Sequence, residues 1–353
     1  MSLLSYLNFR EKGATYWERS PKWRRVLISL LFIGLCYALP FLNNPLINTP
    51  GSDFQSVLFY PVGMYVMMAI GLNIIVGKSG LLDLSYVSFF AIGAYTMAIL
   101  GTKTSLNFWE ILPIGVGLAM LSGVLLGTPT LRLRGDYLVI VTLGFGEIVR
   151  IVAVNEESIG GPRGIAGIPT PPPIFGAKFT ILDPKPYYWL LLTFTLLIIW
   201  MVRRMAARRP GRAWDAIRQD DDVAQLMGIN TRRYKVWAFV LGAAVAGVGG
   251  VIYASQILSI VPDQFNLNVS ILILACVVFG GIGNLWGVIV GAVLLAFIPE
   301  RIRFLSQPRI LVFGIALVLM MNLRPDGILP KKKREHFDPN WKQIEESGEG
   351  EIK

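Results

Sequence analysis

The sequence is poor in the residues that most enzymes use for chemistry. Of 353 residues, one is histidine and two are cysteine, and only 16% are charged. His336 stands alone in a polar tail, so neither a Ser/His/Asp set nor a histidine-based metal site is expected. Cys36 and Cys276 both fall inside apolar runs, which gives no disulfide framework. No G-x-x-x-x-G-K-[ST] occurs, so the chain lacks a phosphate-binding loop for ATP. "GGIGNLWG" (Gly280 to Gly287) has the wrong glycine spacing for a dinucleotide fingerprint and lies within apolar sequence. No catalytic or metal-binding residue is predicted, and no cofactor bound by this chain.

What is abundant is hydrocarbon. The chain is 54% hydrophobic, whereas a soluble chain carries roughly 25% charged residues. The net charge of +10 does not point to nucleic acid, because Lys and Arg gather between apolar runs, as in the cytoplasmic loops of membrane proteins. Ten apolar segments can be read, at about 26–42, 58–76, 84–100, 110–127, 136–154, 187–202, 237–255, 269–281, 285–299 and 308–323. The expected fold is therefore all-α and polytopic, with no cleavable leader evident. An N-terminal tail (1–25), a membrane domain (26–323) and a C-terminal tail (324–353) make up the chain. Arg10, Lys12, Arg19, Lys22, Arg24 and Arg25 put the N-terminus in the cytoplasm. Alternation then places Lys78, Arg132, Arg134, the 203–236 loop and the run Lys331 to Arg334 on the same side, with only Arg301 and Arg303 against the pattern. Segments 269–281 and 285–299 are either two crossings or one re-entrant hairpin, and both options keep both termini cytoplasmic.

Charged and polar residues inside spans are costly and normally face a cavity or one another. Glu147 and Arg150, three apart on one helix face, are either part of a solute path or an internal pair that fixes packing. "GKSGLLDLS" places Asp83 and Ser85 at a glycine-rich entry to a span, compatible with a broken helix beside a binding site. Gly242, Gly247, Gly249 and Gly250 read as close helix packing. Gly77-x-x-Gly80-x-Leu82 and Gly280-x-x-Gly283-x-Leu285 share a spacing and could mark corresponding positions of two halves. The outer loop 155–186 holds seven prolines and is either functional or a rigid connector.

The most charged block is Arg203 to Val236, with nine basic residues and four Asp. Trp214, Ile217, Ala224 and Met227 form one apolar stripe at helical spacing, while Arg212, Asp215, Arg218 and Asp222 point elsewhere. The pattern predicts two short amphipathic helices broken at "QDDD", with Asp222 capping the second and Gly228 closing it. Such helices lie either on lipid head groups or in a groove of a cytoplasmic partner.

"DVAQLMGI" (Asp222 to Ile229) resembles the EAA loop of ABC importer permeases, with Asp222, Val223 and Ala224 in the positions of Glu-Ala-Ala and Gly228 in place. The downstream I-x-L-P is replaced by "AFVL" (Ala238 to Leu241). With "GLNIIVGKSGLLDLSYVSFFAIGAY", "LRLRGDYLVIVTLGFGEIVR", "IGGPRGIAGIP" and "FGGIGNLWGVIVGA", the stretch 58–330 resembles the LivM-type permeases of branched-chain amino acid importers, a family that also includes urea and short-amide permeases. The resemblance implies a half-channel in the bacterial plasma membrane. Its partners would be a LivH-type permease, two ATP-binding cassette subunits that hold ATP and Mg, and an extracytoplasmic solute-binding protein. The 203–236 loop would dock in an ATPase groove through Arg212, Trp214, Asp215, Ile217, Asp222, Ala224 and Gly228. It assigns no solute ligands, so Asp83, Ser85, Glu147 and Arg150 stand as path candidates on the residues alone. An ion-coupled secondary transporter is the alternative from another class.

Overall fold

The computed structural model describes residues 22–41, 53–130, 133, 135–173, 179–180, 183–301, 309–324 and 327–329. In chain order its helices are α1 (Lys22–Ala38), α2 (Phe54–Lys78), α3 (Tyr86–Lys103), α4 (Phe108–Thr130), α5 (Asp136–Asn155), α6 (Lys185–Ala206), α7 (Arg209–Gln219), α8 (Asp221–Leu226), α9 (Thr231–Ile257), α10 (Leu267–Gly280), α11 (Leu285–Arg301) and α12 (Arg309–Leu323). Each of the ten apolar segments falls on one of these. Among the described residues, α2, α4, α6, α9, most of α5 (Tyr137–Asn155) and the stretch Pro262–Gly280 that contains α10 are long and apolar enough to cross a membrane. The protein is all-α and polytopic. The tail Arg10 to Arg19, the residues Arg132, Arg134 and Arg303, and the run Lys331 to Arg334 lie outside the described residues.

α2 forms the axis of the bundle. "MYVMMAIGL" (Met64 to Leu72) has no polar face, and a helix that is apolar all round is buried rather than laid on a surface. It is 89% buried. α9 packs against α2, α3 and α4 through its small residues. A Cβ on Gly247 would lie 2.7 Å from the Ala119 side chain, and one on Gly93 would lie 2.4 Å from the Gly247 carbonyl. The glycine run in α9 thus sets helix approach, as the sequence indicates. That closeness matters because lipid supplies no hydrophobic force between helices, and dispersion must do the work.

At the end of the bundle away from the 203–236 loop, the proline-rich connector is tethered rather than free. Ile165–Ala166 (β1) pairs antiparallel with Ser259–Ile260 (β2), Ile165 opposite Ile260. The Ile168 amide donates to the Leu258 carbonyl, and the Lys103 ammonium reaches the Ser158 carbonyl. Tyr253, Phe90, Phe265 and Tyr95 stack beneath it. At the opposite, charged end, α10 and α11 form a tight hairpin. Its Gly280 and Gly287 backbones touch, and the Ile328 and Leu329 amides close over it onto the Phe279 and Gly280 carbonyls.

Candidate functional site

The 203–236 loop folds as two short helices, as its pattern predicts, but its apolar stripe faces inward. Trp214 is 3% exposed, and its indole N–H donates to the Tyr234 carbonyl at 2.8 Å. It sits with Ile74 of α2, Met205 of α6 and Leu241 of α9, so α7 lies across the ends of three long helices. Ile217 and Ala224 are buried as well. The expectation that Trp214, Ile217 and Ala224 offer a free docking edge is therefore corrected: this chain's own helix ends satisfy them. Met227 does not belong to their stripe. The extended residue Asp220 breaks the helical register, so α8 is rotated relative to α7.

The cap of α8 is also two residues earlier than its sequence suggests. Asp220, not Asp222, accepts the Asp222 and Val223 amides, at 2.9 and 3.0 Å. Three consecutive Asp residues leave the cap ambiguous in sequence. The backbone decides it, because Asp220 has the extended conformation that a cap requires (φ −157°, ψ 119°). Asp222 lies inside the first turn. At the other end Gly228 takes φ +81°, its amide donating to Gln225 and that of Ile229 to Ala224, which is the expected closure by a left-handed glycine. Asp221 pairs with Lys235 of α9 at 2.6 Å, largely shielded from water, and so fixes α8 to a long helix. What α8 leaves bare is Val223, Leu226 and Met227, the last two 87% and 79% exposed. Arg212 is exposed and, with Arg209 and Arg233, lines an open groove between the starts of α7 and α9, while Asp215 is half-buried.

A junction that sequence reasoning missed lies where the two glycine motifs meet. Arg218 of α7 donates through Nη1 to the Gly77 carbonyl at 2.6 Å and to the Ile282 carbonyl at 3.4 Å. Beside it the Gly283 amide donates to the Asn73 side-chain oxygen at 2.9 Å. The shared spacing of Gly77/Gly80 and Gly280/Gly283 was the available signal.

The path candidates separate into two places. Glu147 accepts from Arg150 Nε at 2.9 Å and also from Nη2, and Arg150 lies 3.5 Å from Asp263. The buried side of α5 carries Leu138, Thr142 and Ala153. At about 100° per residue Glu147 falls opposite that side and Arg150 on its flank, so the pair is half-buried on the least covered of the long helices. Asp83 and Ser85 are fully buried behind α5, Ser85 against Gly146. They organise the start of α3, which begins inside the bundle. Asp83 Oδ1 accepts the Ser85 amide and hydroxyl, the Val87 amide finds Ser270 of α10, and the Leu84 amide finds Thr142 of α5. An internal helix start needs acceptors for its free N–H groups, and a carboxylate there also suits the helix dipole.

Comparison with known proteins fits this architecture. The family described as "Branched-chain amino acid transport system / permease component" matches residues 56–322. The high-affinity branched-chain amino acid transport system permease protein LivM of Escherichia coli is 41% identical over 76% of this chain and 68% of its own length. LivM of Salmonella typhimurium is 40% identical over 88% and 75%. The LivH permease protein of the latter organism is 26% identical over 77% of this chain and 92% of its own length. No solved structure matches. With the family spanning most of the helical bundle and the charged loop, this chain belongs to the permease components of branched-chain amino acid transport systems.

Proposed function

We propose that the chain is a permease subunit of an ABC importer that carries branched-chain amino acids across the bacterial plasma membrane, using ATP hydrolysed by partner subunits. The observation that carries the proposal is the bare apolar end of α8, held rigidly on the helix ends by Trp214 and the Asp221–Lys235 pair. An exposed Val223/Leu226/Met227 knob on a fixed support suits a groove in a folded partner. The basic residues of the loop support a cytoplasmic position for that face, where ATPases work. All ten apolar helices then cross the membrane, and both the tail 1–25 and the tail 324–353 are cytoplasmic. ATP and Mg belong to two ATP-binding cassette subunits. A relative named LivH supports pairing with a second, LivH-type permease, and an extracytoplasmic binding protein delivers the solute. This chain is a transporter subunit, not an enzyme.

The half-buried Glu147–Arg150 pair supports a path along α5, shared with the second permease. Charges facing lipid would be costly, whereas at a wall between subunits they can meet a zwitterion. Asp83 and Ser85 serve that path indirectly, by holding the start of α3 behind α5.

Reconstitution of the complete importer in proteoliposomes tests this reading with leucine uptake. Wild-type uptake is expected to require ATP and all subunits. Glu147→Gln is expected to lower uptake roughly tenfold, the loss of one charge-assisted contact, at unchanged protein abundance. If single variants instead lose protein while Glu147→Gln/Arg150→Gln recovers it, the pair is structural and the path lies elsewhere.

A further inference from the structure

We propose that Arg218 is the positioning residue that passes displacement of the loop to α2 and to the α10–α11 hairpin at the same time. The inference rests on the reading of α8 as an ATPase-docking face. Two elements of the bundle end at one point, and α7 touches both there through a single guanidinium. The Gly77 carbonyl is in the last turn of α2, where backbone acceptors have no helical partner and carry the negative end of the helix dipole. The Ile282 carbonyl belongs to the hairpin turn. Arg218 reaches both mainly through one nitrogen, Nη1, with Nη2 at 3.5 Å from the Ile282 oxygen, and its planar guanidinium holds these donors in a fixed arrangement that a freely rotating ammonium lacks.

The glycines show how closely the two ends approach. A Cβ on Gly283 would lie 2.2 Å from Arg218 Nη1, and Gly283 adopts φ +87°. A Cβ on Gly77 would lie 1.9 Å from the Asn73 oxygen that holds the Gly283 amide. Gly80 takes φ +74° beside the Arg218 side chain, where a Cβ would lie 3.5 Å from its Cγ. Gly77 and Gly283 thus meet backbone to backbone, a Cβ on Gly283 lying 2.8 Å from the Gly77 carbonyl oxygen, and this close approach lets one arginine reach both ends. α2 is the buried axis of the bundle, and α10 leads to Ser270 at the internal start of α3. A push on α7 thus reaches the helices behind the α5 wall without crossing lipid. Trp214 anchors α7 to α2, α6 and α9 by packing and by its bond to the Tyr234 carbonyl, whereas the Arg218 bonds join α7 to α2 and the hairpin and can fix the angle at which α7 meets them.

The test uses the reconstituted importer and measures ATP hydrolysis with and without solute-loaded binding protein, leucine moved per ATP, and co-purification of the subunits. Arg218→Gln is expected to co-purify normally and to keep basal hydrolysis. Its leucine moved per ATP is expected to fall roughly tenfold, the effect of losing one charge-assisted bond from the engaged state. Arg218→Lys keeps the charge but loses the pre-organised planar donor set, so it is expected to fall between Gln and wild type. Wild-type transport per ATP in Arg218→Gln overturns the proposal. If that variant fails to fold, Arg218→Lys decides: reduced transport per ATP supports the strut, and a wild-type value overturns it. Failure of the docking reading looks different, since changing Leu226 to Asp would then leave assembly and coupling intact.

Discussion

Gly250→Val is expected to abolish most of the folded protein. A Cβ at this position would lie 2.1 Å from the Phe90 carbonyl oxygen and 2.7 Å from the Ala94 amide nitrogen of α3. Both are backbone atoms, so no side chain can rotate away and α3 and α9 must separate. That separation breaks the contacts of Gly93 with Gly247 along the same seam. Overpacking commonly costs about 1–3 kcal/mol. Here two helix backbones must move, and a cost of about 3 kcal/mol or more is expected, a large part of a typical domain's stability. Monodisperse yield and thermal stability in detergent measure it. Gly117→Val, on the exposed side of α4 with nothing within 4 Å of its Cβ, should stay near wild type. Equal behaviour of the two variants would show that the α3–α9 seam does not limit stability.

The helical bundle was legible because its signal is local: apolar runs of span length predict helices whatever they touch. Boundaries drifted where helices continue into water. α9 begins at Thr231, well before its apolar run at 237, because Arg232, Arg233 and Lys235 suit a helix as well as a loop. The proline-rich connector could not be read, since its order comes from a strand pair with residues 259–260, far away in sequence. The loop was legible as two helices with a glycine closure, but not in its orientation. An amphipathic stripe states that something covers it, not what. Trp214 and Ile217 are covered within the chain itself, and the apolar residues left exposed are Val223, Leu226 and Met227. The cap moved from Asp222 to Asp220 because three equivalent side chains compete and backbone geometry chooses. Arg218 was invisible as a site, since its partners are carbonyls at residues 77 and 282, which no side-chain pattern records.

Leu226→Asp/Met227→Asp is expected to separate the chain from its ATPase partners while leaving its fold intact. Both side chains project into solvent from the C-terminal end of α8, so a carboxylate there costs the isolated subunit little. Buried in a partner groove, each aliphatic anchor is worth about 2 kcal/mol, and an unpaired carboxylate would add a desolvation penalty. The pair should therefore weaken docking at least about thousandfold. Trp214→Ala should do the opposite. It removes a large buried side chain and its hydrogen bond to Tyr234, at about 3–5 kcal/mol of stability, without touching the exposed face. Its remaining folded fraction should still bind the ATPases.

The most direct test of the account is co-purification of the chain with its ATP-binding cassette subunits, measured for wild type and for Leu226→Asp/Met227→Asp and normalised to folded chain. The account predicts stoichiometric ATPase subunits with the wild type and a near-complete loss with the double variant, which should itself stay monodisperse. Stoichiometric ATPase on the double variant would contradict the claim that the bare end of α8 is where this permease receives the work of ATP hydrolysis.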